Sequence, residues 1–270
     1  MQPDSRFTDR APSFWALVRY VSEQLGYSKR RSKKCPNAGL KRHDFADVQR
    51  LAHGVNVEDE VARRAHDYFE HRADEINDRV QHWLMDRDEA QETYQQLLQH
   101  DPTCHLPQNK QRGKKSHPNY LNCIVNILTE HHLGSLNFID NPGQLATITD
   151  ADERLIKTLS RRIDGAYPGL HDPGAIWEVK EYYGTTSFGS RVSGGVYETQ
   201  LDGYELNEAE RLVAHDIEHY LFVDDKRTWW GDGRSYLCRL VDAAHMGLVD
   251  EVIFGKEVLD RWPPIVESWN

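Results

Sequence analysis

From Val57 to Gln99 the chain repeats its apolar residues with a helical period, and this run limits what the first part can become more than any other feature. In VEDEVARRAHDYFEHRADEINDRVQHWLMDRDEAQETYQQLLQ, the residues Val57, Val61, Ala65, Tyr68, Ile76, Val80, Trp83 and Leu84 share one stripe, and charge covers the other faces. Such a helix must bury its stripe against a partner. Asp101 and Pro102 stop it. Upstream, Ser13 is placed to cap the apolar run FWALVRYVSEQL, and Gly26 can close that helix in the left-handed conformation. The first hundred residues therefore read as helical, either a structural bundle or a recognition or dimerisation domain.

The Pro-, Gln- and Lys-rich stretch between Asp101 and Ser116 marks the expected boundary, giving a helical domain over 1–115 and a second core over 116–270. Pro118 sits where a first helical turn tolerates proline, and YLNCIVNILTEHHLG follows with Gly134 as its stop. Asp150 can cap a further helix, ADERLIKTLS. Two extended segments come next, RIDGAY and AIWEVKEYY, then a Gly- and Ser-rich turn. The apolar runs HYLFV and VDEVIF flank a helical SYLCRLVDAAHMG. Helices around a few mixed strands predict an α/β (α+β) core. The chain shows no internal repeat, which argues against a solenoid.

The formal net charge of −10 argues against a polyanionic partner, but the charge is uneven. KRRSKKCPNAGLKR holds Lys29, Arg30, Arg31, Lys33, Lys34, Lys41 and Arg42 with no acidic residue, and NKQRGKKSH repeats the pattern around Lys114 and Lys115. Each run is either a solvated loop or a phosphate contact. No long apolar run suggests a membrane span, and MQPDSRFTDR lacks the apolar core of a secretory signal, so a soluble, cytoplasmic protein is expected. Cys35, Cys104, Cys123 and Cys238 are scattered and read as reduced thiols.

In AIWEVKEYY, Trp177 and Val179 alternate with Glu178 and Lys180, so a strand turns the charged pair to one face. Asp164 lies in the preceding extended segment with a glycine after it, and PGLHDPG between them is rich in turn residues. If the strands pair, Asp164 and Glu178 converge. Two carboxylates suit a hard divalent ion such as Mg²⁺, and a lysine beside them can orient water or offset charge at phosphorus. Arg161 and Arg162 lie just upstream as phosphate contacts. The plain alternative is a surface ion pair of Glu178 with Lys180 and a capping Asp164.

Asp164, a spacer, and Glu178-Val179-Lys180 resemble the signature of the PD-(D/E)xK nucleases, which include most type II restriction enzymes. The resemblance spans roughly residues 119–255. It implies a restriction-endonuclease-like mixed sheet flanked by helices, Mg²⁺ held by Asp164 and Glu178, hydrolysis assisted by Lys180, double-stranded DNA as substrate, and a homodimer that restricts foreign DNA. The proline that the family places before its first aspartate is absent, since Ile163 stands there. Asp172 is a rival for that role, and Glu130 is the candidate for an additional acid from a preceding helix. A helix beginning near Arg191 would aim N–H groups at a phosphate, and Gln200 can face the site. His215 and His219 have the helical spacing of zinc ligands, but a capping or surface pair explains them better. The competing function is a non-catalytic DNA- or protein-binding regulator built on the same core.

Overall fold

The computed structural model describes residues 1–8, 10–29, 39–109, 117–134, 137–183, 189–213 and 216–269. Helices α1 (Pro12–Leu25), α2 (Phe45–Gly54) and α3 (Asp59–Asp74) form a bundle around Phe14, Leu17, Val21, Val48, Tyr68 and Phe69. The start of α1 corrects the expected cap: Ala11 precedes the helix, and Pro12 and Ser13 already lie within it. Proline suits that first turn because its missing N–H would have no helical acceptor. Gly26 ends the helix as expected, with φ 77° and its N–H donated to the Ser22 carbonyl at 2.9 Å.

The single long helix expected from Val57 to Gln99 is interrupted. After α3 comes a wide turn, Glu75–Val80, and a short α4 (Gln81–Trp83); the chain then extends at Leu84, and α5 (Arg87–Leu97) restarts. Asp86 and Glu89 close a reciprocal capping box at that restart. Leu84 and Met85 are fully buried, and the Met85 N–H donates to Asp224 Oδ1 at 2.8 Å. An acceptor remote in sequence therefore decides where the helix breaks.

In the second part, α6 (Tyr120–Leu133) ends at Gly134. The helix expected after Asp150 is instead a hairpin of β1 (Thr147–Thr149) and β2 (Leu155–Thr158). Asp150 sits in its turn, where Oδ1 accepts the N–H groups of Asp152 and Arg154 at 2.9 and 3.0 Å. That side chain stabilises a turn as readily as a helix start, and the buried Ile148 and Leu159 hold the hairpin against the main sheet's cluster.

The main sheet has the order β3 (Gly165–Tyr167), β4 (Ala175–Glu181), β5 (Glu218–Asp224), β6 (Glu251–Phe254). β3 runs antiparallel to β4, and β4, β5 and β6 are parallel, joined by α7 (Ser190–Glu210) and α8 (Arg234–His245). One face carries Trp177, Phe222 and Ile253 against α6 and α9 (Val258–Glu267), and the other carries Leu221, Val223 and Phe254 against α7 and α8. Ala73, Ile76, Val80 and Leu84 join that second cluster, so the N-terminal helices share a core with the sheet. Arg72 adds a buried ion pair to Asp242 of α8 at 2.9 Å. The architecture is the expected α/β (α+β) class, a mixed sheet flanked by helices. Among the described residues, no helix is long and apolar enough to cross a membrane.

Candidate active site

The strand pairing brings Asp164 and Glu178 together. Gly165 of β3 stands opposite Trp177 of β4, which puts Asp164 beside Glu178; Asp164 Oδ2 accepts the Val179 N–H at 2.8 Å. The two carboxyls are close enough for the Glu178 charge to act on Asp164. Ile176, Glu178 and Lys180 share the face that α7 covers, which leaves Glu178 fully buried and Lys180 only 8% exposed. Helix α7 comes this close because of Gly195, where a Cβ would stand 2.9 Å from the Tyr182 hydroxyl and 3.4 Å from Lys180 Cδ.

Around the carboxylates an ionic network closes. Lys180 Nζ lies 2.9 Å from Glu178 Oε2 and 2.8 Å from Glu198 Oε2. Arg161 Nη1 is 2.7 Å from Glu178 Oε1 and 2.6 Å from Asp202 Oδ2. The contact with Oε1 is an ion pair without hydrogen-bond alignment, and Glu178 Oε1 and Asp202 Oδ1 are buried without a hydrogen-bond partner. Burial alone would lower the Lys180 pKa, but Glu178 and Glu198 more than offset it, so the ammonium is held charged. Burial pushes Asp164 up to about 7, reinforced by the Glu178 charge. Asp202 rises to about 7 for the same two reasons, against the pull of Arg161.

Four carboxylates (Asp164, Glu178, Glu198, Asp202) face two cations (Arg161, Lys180), so full ionisation leaves the cluster at −2. A divalent cation would balance that excess. Asp164 and Glu178 together offer the pair of carboxylates that Mg²⁺ takes alongside water and substrate oxygens. Among the described residues, no cluster of three or more His, Cys, Asp or Glu side chains is disposed around one metal position. Any ion bound by Asp164 and Glu178 would take its remaining ligands from water and substrate.

The raised Asp164 pKa has a measurable consequence. The folded chain holds this proton more tightly than the unfolded chain does, so the associated stability is present below pH ~4 and is lost as the pH rises through about 7. Asp164→Asn keeps the shape and removes the titration. In chelator, its stability relative to wild type is expected to improve by about 2 kcal/mol between pH 5 and pH 8. Urea midpoints measured at the two pH values check this, and a pH-independent difference would contradict the raised pKa.

The network forms one wall of a cleft of about 1120 Å³, also lined by Arg162, Arg191, Glu181, Asn122, His105 and His117. The other expected site residues are distributed as follows. Asp172 lies away from the cleft, with its carboxylate accepting the Thr149 N–H at 2.6 Å and hydroxyl at 2.7 Å. Glu130 accepts from the Thr103 N–H at 3.0 Å and is not part of the cleft lining. Gln200 is half-buried on α7, outside the lining. Lys29 is exposed, Lys41 donates to the Leu25 carbonyl, and Arg42 pairs with Glu70 and Asp74. Arg30, Arg31, Lys33, Lys34, Lys114 and Lys115 lie outside the described residues, as do Cys35 and His215. His219 is on β5 and not on a helix; its ring is buried, bonded through Nδ1 to the Leu248 carbonyl at 2.8 Å, and burial lowers its pKa to about 4. That corrects the helical reading of the His215 and His219 spacing.

Glu198 and Asp202 were not anticipated. Their separation by four residues on one helix, shortly after Lys180, is a signal of a shared face, but only the packing of α7 aims that face at β4. Arg161, expected to meet phosphate, is engaged between Glu178 and Asp202. A family described as Domain of unknown function (DUF7687) matches residues 85–269, and a second, Domain of unknown function (DUF7690), matches residues 1–79. No curated protein and no solved structure matches the chain.

Proposed function

The chain belongs to the family described as Domain of unknown function (DUF7687), and from its site we propose that it hydrolyses phosphodiester bonds of double-stranded DNA with Mg²⁺ held by Asp164 and Glu178. The observation that carries this reading is the meeting of the Asp164 and Glu178 carboxyls with the charged Lys180 ammonium, 2.9 Å from Glu178, in the wall of a large cleft. A bound Mg²⁺ would supply a more acidic water and a positive charge near phosphorus. The Val179 N–H orients Asp164. Lys180 presents a fixed positive charge, suited to the negative charge that grows on the phosphate oxygens. Arg161 holds Glu178 in place from the other side. Arg162 and Arg191, also on the cleft, can bind flanking phosphates. A cytoplasmic homodimer restricting foreign DNA is the biological form of this reading, by resemblance to the PD-(D/E)xK nucleases.

One feature favours the second reading, a non-catalytic DNA-binding regulator: Arg161 and Lys180 cover both oxygens of Glu178, so the site is already partly neutralised. Metal dependence separates the two. Wild type and Glu178→Gln are incubated with plasmid and genomic DNA, methylated and unmethylated, with Mg²⁺ or with chelator. Discrete fragments that need both Mg²⁺ and Glu178 are expected. DNA left intact under every condition would reject the nuclease and leave the regulator.

A further inference from the structure

We propose that the groove between α1 and the C-terminal parts of α7 and α8 binds a nucleoside phosphate, at a site distinct from the cleft. The groove encloses about 750 Å³, within the usual range for small-molecule sites. Its walls come from both matched regions: Arg10, Trp15 and Arg19 from the first, Tyr204, Arg211 and Leu248 from the second. Seams between two structural units are where such sites concentrate.

Charge is the first argument. The chain carries −10 overall, yet this groove is lined by three arginines, and the one acidic residue among its described lining residues, Glu208, has its Oε2 2.5 Å from Lys157 Nζ. Arginine is suited to phosphate because its planar fork offers several N–H donors at once. Arg10 is held in place by its own segment of chain. One of its terminal N–H groups donates to the Arg6 carbonyl, but its Nε is buried without a hydrogen-bond partner.

The floor supplies the second argument. Trp15 is fixed by edge contacts with Phe14 and Tyr68, at centroid distances of 4.9 and 5.1 Å. Tyr204 is 54% exposed and extends a stripe on α7 that begins at Tyr197 and Leu201. Large rings left facing solvent beside arginines offer flat surfaces on which a base can stack, as arginine planes themselves do. A simple inorganic anion or an aliphatic acid would use the arginines and gain little from the rings. A base joined to a phosphate uses both. The ligand can be a free mononucleotide or one unit of a strand.

Calorimetry in chelator tests this with deoxyadenosine 5′-monophosphate, a twelve-residue oligothymidylate and inorganic phosphate as probes. Arg19→Ala with Arg211→Ala, both exposed positions, is expected to weaken nucleotide binding at least ~10-fold. Tyr204→Ala is expected to weaken the mononucleotide ~5-fold or more while leaving inorganic phosphate unchanged, because only stacking is lost. Glu178→Gln, in the separate cleft, should leave the affinity for the mononucleotide as in wild type. Binding of the mononucleotide alone identifies a free ligand, whereas binding of only the oligothymidylate, weakened by the Arg19→Ala, Arg211→Ala variant, identifies a strand. The proposal is overturned if no probe binds, if Glu178→Gln and not the arginine variant abolishes binding, or if polyglutamate competes as well as the nucleotide. The groove shares no residue with the cleft, so failure of DNA cleavage would not decide this result.

Discussion

Lys180→Ala is expected to slow the proposed Mg²⁺-dependent DNA cleavage by about 10²- to 10³-fold while leaving DNA affinity nearly unchanged, because in that reading its fixed charge next to the phosphate acts mainly on the transition state. The side chain is poorly placed to serve as a general base. Burial pulls its pKa down, but Glu178 and Glu198 raise it further, and it stays protonated. Loss of Lys180 should therefore lower the rate at every pH without removing a basic limb from the pH profile. Lys180→Arg keeps the charge, yet Gly195 packs close enough to the Lys180 stem that a bulkier guanidinium would have to displace α7. Partial rescue is expected at most. Single-turnover rates at several pH values provide the check, and a Lys180→Ala rate equal to wild type would remove Lys180 from the mechanism and, with it, the strongest reason to see a nuclease here.

Gly165→Ala should destabilise the fold by about 3 kcal/mol or more and disturb the site at the same time. A Cβ at position 165 would fall 2.0 to 2.3 Å from Cε2, Nε1 and Cζ2 of Trp177. The indole cannot move aside, since it is fully buried against Phe138, Trp262 and Trp269 at centroid distances of 6.2, 5.5 and 6.0 Å. β3 must then retreat from β4, and Asp164, the neighbouring residue, leaves Glu178. The expected outcome is a lowered urea midpoint, with any cleavage lost beyond what the unfolded fraction explains. A variant as stable as wild type would show that β3 can shift without strain and that the approach of Asp164 does not depend on this glycine.

The placement of Asp164, Glu178 and Lys180 was readable at the level of single strands. The alternation of Trp177 and Val179 with Glu178 and Lys180 predicted two faces, and the turn-rich spacer predicted the hairpin that puts Asp164 beside Glu178. Both are local effects, one of side-chain period and one of chain reversal. The surroundings of the trio were not readable in the same way. Glu198 and Asp202 reach Glu178 and Lys180 only because α7 crosses over the sheet, and Arg161 turns inward because two buried carboxylates await it. The basic residue expected to meet phosphate became part of the network for that reason.

Amphipathic period, glycine stops, the turn-rich spacer and the pattern of charged and apolar residues in β4 were enough, by themselves, to predict a helical first part, a mixed α/β second part and the proximity of Asp164, Glu178 and Lys180, because each depends on local period or on chain reversal. Tertiary structure alone decided that the long helix breaks at Leu84, that the segment after Asp150 pairs as a hairpin, that Asp172 and Glu130 stay outside the cleft, and that the N-terminal helices share a core with the sheet. In each case the deciding partner is distant in sequence: Asp224 for Met85, the buried cluster with Ile148 and Leu159, Thr149 for Asp172, Thr103 for Glu130, and the helix α8 for Arg72. Burial and hydrogen-bond satisfaction act across such distances, and local propensity yields to them.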